Sequence, residues 1–169
     1  LVAAAAWGLA APAAGQCEYE VTIIEGPPCG GATPPEAFGL NETGTVVGEF
    51  LVCASPSDWA FEWNNDPYAM PMEFPGPVFD SIAWDVNNAG TIVGVASLSD
   101  IGTRGFVRID GEVSYLEPLE GTSLTEAFAI NESDQIAGLA VDPNTDRKRA
   151  ARWDDRELTV IEPTFGERS

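Results

Sequence analysis

The chain has 169 residues, of which 27 are acidic, 8 are basic and none is histidine, so that its formal net charge at pH 7 is −19. A charge of this sign repels phosphate groups and therefore argues against nucleic acids and anionic membranes as partners. Without histidine, the chain cannot form Ser-His-Asp or Cys-His catalytic groups or the usual zinc sites. The acidic excess indicates a solubilising, salt-adapted surface, with cation binding as the alternative.

The first stretch, residues 1–16, is apolar and rich in alanine, and it ends in small residues. This pattern is typical of the second half of a secretory signal peptide, with a buried helix as the alternative. The run is too short to span a membrane and is interrupted by Pro12. The sequence lacks a starting methionine and a basic segment, and we expect that its true N-terminus is missing. We predict that residues 17–169 form the mature domain, in an extracellular or cell-surface protein.

Three cysteines lie in the first third of the chain: Cys17, Cys29 and Cys53. One disulfide is consistent with an exported protein, and both Cys17–Cys29 and Cys29–Cys53 remain open as pairings. No CxxC pair occurs, which argues against a zinc or redox site.

A 12-residue motif occurs three times, beginning at Ala37, Ala83 and Ala127. Its asparagines lie 46 and 44 residues apart, which is about the length of one four-stranded propeller blade. They are Asn41, Asn87 and Asn131.

Each copy of the motif predicts a strand, a turn and a second strand. The asparagine begins the polar turn, and a glycine that tolerates positive φ ends it, with Asp134 in its place in the third copy. Counting outward from a three-residue loop, Leu40 faces Val46. The same count places an aromatic ring over a cross-strand glycine in every copy. The predicted pairs are Phe38–Gly48, Trp84–Gly94 and Phe128–Gly138.

The segments after each hairpin complete a blade. Third strands are predicted at 59–63, 105–109 and 150–153, and fourth strands at 69–74, 112–116 and 158–161. No stretch shows a helical period. The prediction is an all-β fold, a partial β-propeller-like array of about three four-stranded antiparallel blades, with repeats at about 36–76, 82–121 and 126–166.

The strand predicted at 19–24 matches the fourth strand of the other repeats. An apolar residue followed by glutamate recurs as Ile24-Glu25, Met72-Glu73, Leu116-Glu117 and Ile161-Glu162. In closed propellers such an N-terminal strand commonly completes the last blade. We therefore expect at least one further repeat after Ser169. Within the present chain we expect an open arc in which residues 19–24 are unpaired or paired at an edge.

The repeated pattern A-[FW]-x-[ILV]-N-x-x-G-x-[IV]-[VA]-G, with a short strand about twenty residues later, resembles the bacterial extracellular repeats called HAF repeats. The resemblance covers residues 19–163. Where that family carries His-Ala-Phe, this chain has Trp59-Ala60-Phe61, Arg104-Gly105-Phe106 and Arg149-Ala150-Ala151. The resemblance implies a secreted or cell-surface protein with propeller-like repeats, and it supplies no catalytic residues.

Candidate chemistry is sparse. Glu25, Glu73, Glu117 and Glu162 recur once per repeat, which favours surface patterning over a catalytic pair. Asp142, Asn144 and Asp146 resemble the start of a calcium loop, although Arg147 stands where glycine is needed and Trp153 where the bidentate glutamate belongs. The four tryptophans of the repeats either stack on sugars or pack between blades. They are Trp59, Trp63, Trp84 and Trp153.

The sequence thus favours a non-catalytic binding or scaffold module that displays the loops 54–58, 97–103 and 142–148 on one rim. Its partner would be an extracellular glycan or protein; no catalytic residue and no cofactor are predicted. The alternative is a fragment of a carbohydrate-active β-propeller enzyme, and a third interpretation is a cation-dependent adhesion module. An enzyme predicts unique acidic residues that converge, whereas a scaffold predicts only repeated ones.

Overall fold

The computed structural model describes residues 20–28, 34–51, 57–155 and 157–161. Residues 1–16 and the three cysteines lie outside this part of the chain, as do Tyr19 and Glu162. Twelve strands and no helix occur in the described residues. They are β1 Glu36–Leu40, β2 Val46–Leu51, β3 Asp58–Trp63, β4 Met70–Pro71, β5 Val78–Val86, β6 Ile92–Leu98, β7 Gly102–Ile109, β8 Glu112–Tyr115, β9 Thr125–Ile130, β10 Ile136–Asp142, β11 Arg147–Asp154 and β12 Glu157–Val160.

The strands form three antiparallel four-stranded sheets, one per repeat, each in the order of the sequence. We call them the first blade (β1–β4), the second blade (β5–β8) and the third blade (β9–β12). The sheets pack side by side and do not close into a ring, so the predicted all-β, partial propeller-like array is confirmed. With no helix, the described chain offers no apolar helical segment that could cross a membrane.

The apolar core lies between the blades, because the second blade is covered on one face by the first and on the other by the third. Phe61 and Phe106 of the third strands are fully buried. In the third blade the equivalent residue is the small Ala151, and the neighbouring Trp153, which is 1% exposed, packs in the same cluster. The core residues shared by the second and third blades are Val93, Val107, Leu116, Ala127, Ile136, Ala140, Ala151 and Trp153.

The turns of the three hairpins have the predicted geometry. Gly44 and Gly90 have φ values of 88° and 84°, and Asp134 has a φ of 56°. Leu40 pairs with Val46 as predicted.

Beyond the turn the predicted register is wrong, because the first strand of every hairpin contains a β-bulge. Ala37, not Phe38, pairs with Gly48, and the pairing resumes between Gly39 and Val47. One extra residue on the bulged strand is left without a partner. The same shift pairs Ala83 with Gly94 and Ala127 with Gly138. The aromatic rings Phe38, Trp84 and Phe128 are therefore not paired with the glycines.

The cross-strand glycines are nevertheless structural, for another reason. A Cβ atom at Gly94 would overlap the carbonyl oxygen of Ile82 and lie 2.7 Å from the Phe106 ring. At Gly48 it would overlap the Glu36 carbonyl and lie 2.9 Å from the Phe61 ring. The bulge presses its backbone against this position, and the third-strand phenylalanine fills the remaining space.

Residues 20–24 form no strand, contrary to the prediction from their composition. The next residue, Glu25, makes a backbone hydrogen bond near the edge of the first blade: Ala69 N donates to Glu25 O at 2.8 Å. Ile24 packs against the cluster of Phe50, Phe61 and Ala69, while Val21 and Ile23 are 82% and 79% exposed. This matches the expectation of a segment that lies at an edge without forming a ladder.

Candidate functional site

The repeated asparagines hold their own turns. Asn41 Oδ1 accepts hydrogen bonds from Thr43 N at 3.1 Å and Thr45 N at 2.9 Å. Asn131 Oδ1 accepts the equivalent pair from Ser133 N at 2.9 Å and Gln135 N at 3.0 Å. The side chain thus satisfies backbone donors of the turn that it begins.

The same side chains also join the blades. Asn41 Nδ2 donates to Asn87 O at 2.9 Å, and Asn87 Nδ2 donates to Asn131 O at 3.2 Å. We call Asn41, Asn87 and Asn131 the asparagine ladder. A second row runs beside it, with Glu42 N donating to Asn88 Oδ1 at 2.8 Å and Asn88 N to Glu132 Oε2 at 3.1 Å. The role of these asparagines between blades was not predicted from the sequence. Their recurrence at intervals of 46 and 44 residues, one per blade, was the feature that could have indicated it.

An aromatic row crosses the three blades at the bulges. The ring centroids of Phe38 and Trp84 are 4.8 Å apart, and those of Trp84 and Phe128 are 6.3 Å apart. The two terminal rings are 39% and 42% exposed, whereas Trp84 between them is half-buried. Trp153 is in the inter-blade core, so two of the four candidate tryptophans pack between blades.

The blades have two dissimilar ends. The ladder rim carries the turns after β1, β5 and β9, which are alike in all three repeats. The loop rim is the opposite end of the same strands and carries the β6–β7 and β10–β11 turns, which differ in sequence. A cleft of about 470 Å³ lies at the loop rim, lined by Leu119, Glu120, Asp142, Pro143, Asn144, Arg149 and Val160.

The predicted calcium loop belongs to this rim. Asp142 Oδ1 accepts a hydrogen bond from Asn144 N at 2.9 Å, and Oδ2 lies 3.3 Å from Arg149 Nη2. The hydrogen bond from the Asn144 backbone, followed by that from Thr145, lowers the pKa of Asp142. The left-handed residue of this turn is Asp146, with a φ of 54°, one position before Arg147, where the calcium loop needs glycine. The described chain contains no group of three or more Asp, Glu, His or Cys side chains placed to hold a metal ion.

The predicted glutamates of the fourth-strand register do not form a site in the described chain. Glu25, Glu73 and Glu117 are all exposed.

A different set of carboxylates does converge. Glu49 on β2 interacts with Asp58, Asp80 and Glu36, and we call these four residues the acidic cluster. Burial, followed by the negative charges of these neighbours, raises the pKa of Glu49 from its ordinary value of 4.5 to about 7. Burial and then Asp58 also raise the pKa of Asp80, opposed by backbone hydrogen bonds. Glu49 Oε2 and Asp80 Oδ1 are buried without a hydrogen-bond partner among the described residues.

The acidic cluster was not predicted from the sequence. Glu49 stands at a repeat position that holds Val95 and Leu139 in the other blades, so it is unique to the first repeat. A charged residue at a repeat position that is otherwise apolar was the feature of the sequence that could have indicated this cluster. A carboxylic acid whose pKa is raised to about 7 is protonated in a large fraction of molecules near neutral pH and can donate that proton.

No known protein family, no curated protein and no solved structure matches this chain.

Proposed function

We propose that the chain is a secreted or cell-surface repeat protein of the HAF type and works as a non-catalytic binding module. The observation that carries this proposal is the difference between its two rims. The ladder rim repeats one set of bonds and fixes the blades to each other, whereas the loop rim varies and contains the cleft at Asp142–Asn144. Rigid elements that hold variable loops are the usual construction of a binding surface.

The location outside the cell is supported by the apolar leader at residues 1–16 and by the early cysteines. The charge of −19 supports a neutral or basic ligand, a glycan or a protein, because an anionic ligand would be repelled.

The proposal is tested on a glycan and extracellular-protein array with the purified chain and two matched variants. Asn144→Arg places a long side chain in an exposed turn of the loop rim. Pro67→Arg places the same side chain in the exposed β3–β4 turn, at the ladder rim. We expect Asn144→Arg to abolish retention of the wild-type ligand and Pro67→Arg to preserve it. The opposite pattern, or cleavage of an arrayed glycan, would contradict the proposal.

The acidic cluster favours a second candidate, a carbohydrate-active enzyme. In this case Glu49 acts as the general acid, and Asp58 or Asp80 beside it supplies the second carboxyl group. The test is the release of reducing ends from a panel of polysaccharides. Glu49→Gln should abolish the release, while Glu112→Gln, an exposed carboxylate on β8, should leave it unchanged. A wild-type chain that releases nothing removes this candidate.

A further inference from the structure

A cavity of about 210 Å³ lies at the ladder rim between the second and third blades. It is lined by Thr91, Val107, Ile109, Asp134, Ile136 and Asp155. Both of its walls come from blades that the structure describes, so the cavity belongs to an interface within the chain. It is smaller than the pockets of about 300–1,000 Å³ that enclose drug-sized ligands, and its size therefore suits a single side chain.

The floor of this cavity is apolar and its mouth is acidic. Val107 and Ile136 are only 4% and 5% exposed and form the floor, beside Ile109, which is 42% exposed. Asp134 and Asp155 are both exposed and place their carboxylates at the mouth. An apolar floor below two negative charges is complementary to a side chain that has an alkyl stem and a cationic head.

The two carboxylates have oxygens available for such a head. Asp134 Oδ1 accepts a hydrogen bond from Asn87 Nδ2 at 2.7 Å, which fixes the carboxylate, whereas its Oδ2 accepts none from another described residue. Asp155 likewise forms no hydrogen bond or ion pair with the described part of the chain. None of the residues that line the cavity is basic.

The interface between the first and second blades shows which group fits between two blades at this level. There Arg108 of β7 reaches back to Glu62 of β3, with 2.6 Å between Nη1 and Oε2. Asn64 Nδ2 donates to the other oxygen of the same carboxylate at 3.0 Å. The side chains of Arg108 and Glu62 are 21% and 25% exposed, so this guanidinium lies largely between the blades.

The cavity uses the same repeat positions with different residues. By their strand pairing, Val107 and Ile109 of the second blade are the equivalents of Glu62 and Asn64 of the first blade. The arginine of the facing wall is replaced by Trp153, which is 1% exposed. The first wall has therefore lost its acid and the second wall has lost its guanidinium.

The acid of the cavity stands instead on the wall of the third blade. Asp134 occupies the turn position that is Gly44 and Gly90 in the other blades, so its carboxylate is unique to this interface. The cavity thus keeps the acidic half of an ion pair between blades, and the residues that line it do not supply the basic half.

We propose that this cavity binds the arginine side chain of a partner protein. The alkyl stem lies on Val107, Ile109 and Ile136, and the guanidinium bridges the carboxylates of Asp134 and Asp155. A guanidinium fits better than an ammonium, because it is planar, offers several donors and is more weakly hydrated. The site lies on the rim opposite the cleft at the loop rim and is independent of the ligand proposed there.

The test is an NMR titration of the isotope-labelled chain with acetyl-arginine amide, with the neutral isostere acetyl-citrulline amide as the control probe. We expect the arginine probe to give saturable shifts of the amide signals that line the cavity, and the citrulline probe to give none. Binding should be weaker in about 0.3 M than in about 0.05 M NaCl. Shifts that spread over the acidic surface without saturation would overturn the proposal, and so would tighter binding of acetyl-lysine amide.

Asp155→Asn removes one carboxylate from the mouth with little change of shape. The equivalent residue of the first blade is Asn65, whose φ of 60° is close to the 48° of Asp155, so this turn accepts asparagine. Asp110→Asn is the matched control, because it removes the same charge from the same turn of the second blade, outside the cavity. We expect Asp155→Asn to raise the dissociation constant about tenfold and Asp110→Asn to change it less than about twofold. Equal effects would mean attraction by the general charge and would refute the site.

Ile109→Asn tests the apolar floor and leaves every charge in place. The first blade already carries Asn64 at this repeat position. An arginine that lies on the floor should bind this variant about threefold more weakly, since apolar contact is lost. An arginine attracted only by surface charge would bind it unchanged, and that result would also overturn the proposal. The dispersion of the amide signals checks that each variant is folded.

Discussion

At the scale of single residues, Asn87 joins its own turn to the third blade. Its oxygen accepts Thr91 N at 2.9 Å, and its amide donates to Asn131 O at 3.2 Å and to Asp134 Oδ1 at 2.7 Å. One buried amide therefore closes a turn and fixes the position of the next blade. Because Asn87 is 2% exposed, water cannot replace these bonds.

Asn87→Ala should lower the free energy of unfolding by about 2–4 kcal/mol, since it leaves several buried groups without partners. Asn131→Ala is the matched control. It loses the same turn bonds at an exposed position that makes no contact with a following blade, and it should cost only about 1 kcal/mol. Urea denaturation at low protein concentration measures both. Equal losses would mean that the amide contributes nothing between blades.

Glu49 makes a second residue-scale prediction, on pH dependence. Its pKa is raised to about 7 in the folded chain, so the folded state binds this proton more tightly than the unfolded state does. The stability that this carboxyl contributes is therefore fully present below about pH 4.5, declines as pH rises to 7 and is absent above it.

We expect the temperature of the thermal unfolding midpoint to decrease as the pH is raised from 5 to 8, because this interval contains the raised pKa of about 7. Glu49→Gln, which resembles the protonated acid, should reduce this fall by stabilising the chain at pH 8. Glu112→Gln is exposed and removes the same charge, so it controls for the general repulsion of an acidic chain. The assignment fails if both substitutions change the pH profile equally.

At the scale of the elements, the β-bulge explains why a glycine stands eight residues after the end of every first strand, at Gly48, Gly94 and Gly138. The extra residue moves the backbone carbonyl of Ile82 against Gly94, and the ring of Phe106 closes the other side. The same arrangement at Gly48 shows that the bulge belongs to the repeat and not to one blade. It also places the aromatic rings in one row from blade to blade.

Gly94→Ala should destabilise the chain by about 3 kcal/mol, because its Cβ meets a backbone carbonyl that cannot move aside. Gly90→Ala serves as the control in the same hairpin. No atom lies within 4 Å of its Cβ, and its φ of 84° costs only the left-handed strain of about 1–2 kcal/mol. Chemical denaturation measures the free energy of unfolding of both variants and so distinguishes steric overlap at Gly94 from backbone strain at Gly90. If Gly94→Ala loses less stability than Gly90→Ala, the bulge relaxes to admit the Cβ atom.

At the scale of the whole molecule, the excess of acidic residues opposes folding through charge repulsion. The chain carries −19 at pH 7, and the ion pairs between described residues leave most of this charge unpaired. Screening this repulsion should stabilise the folded state.

We expect the thermal midpoint to rise with ionic strength, and NaCl and CaCl₂ to act equally at matched ionic strength. A larger effect of calcium that Asp142→Asn removes would instead establish a specific site in the Asp142, Asn144 and Asp146 loop. Differential scanning calorimetry in both salts decides between these outcomes.

The sequence by itself determined the number of blades, the four strands of each and the turns between them. These features depend on local patterns, such as alternation, the polar Asn turns and residues that tolerate positive φ at Gly44, Gly90 and Asp134. The predicted strand at 19–24 failed because a strand needs a partner, and composition supplies none.

Only the tertiary structure decided the bulge, the inter-blade role of Asn87 and the acidic cluster. Each depends on contacts between residues far apart in the sequence: the Ile82 carbonyl against Gly94, one amide against the next blade, and Glu49 beside Asp80. A bulge shifts every later pairing by one residue without changing the alternation of side chains near the turn. The pKa of a carboxylate likewise depends on which charges the fold brings close to it and on how much water the fold excludes around it. The spacing of residues along the sequence specifies neither.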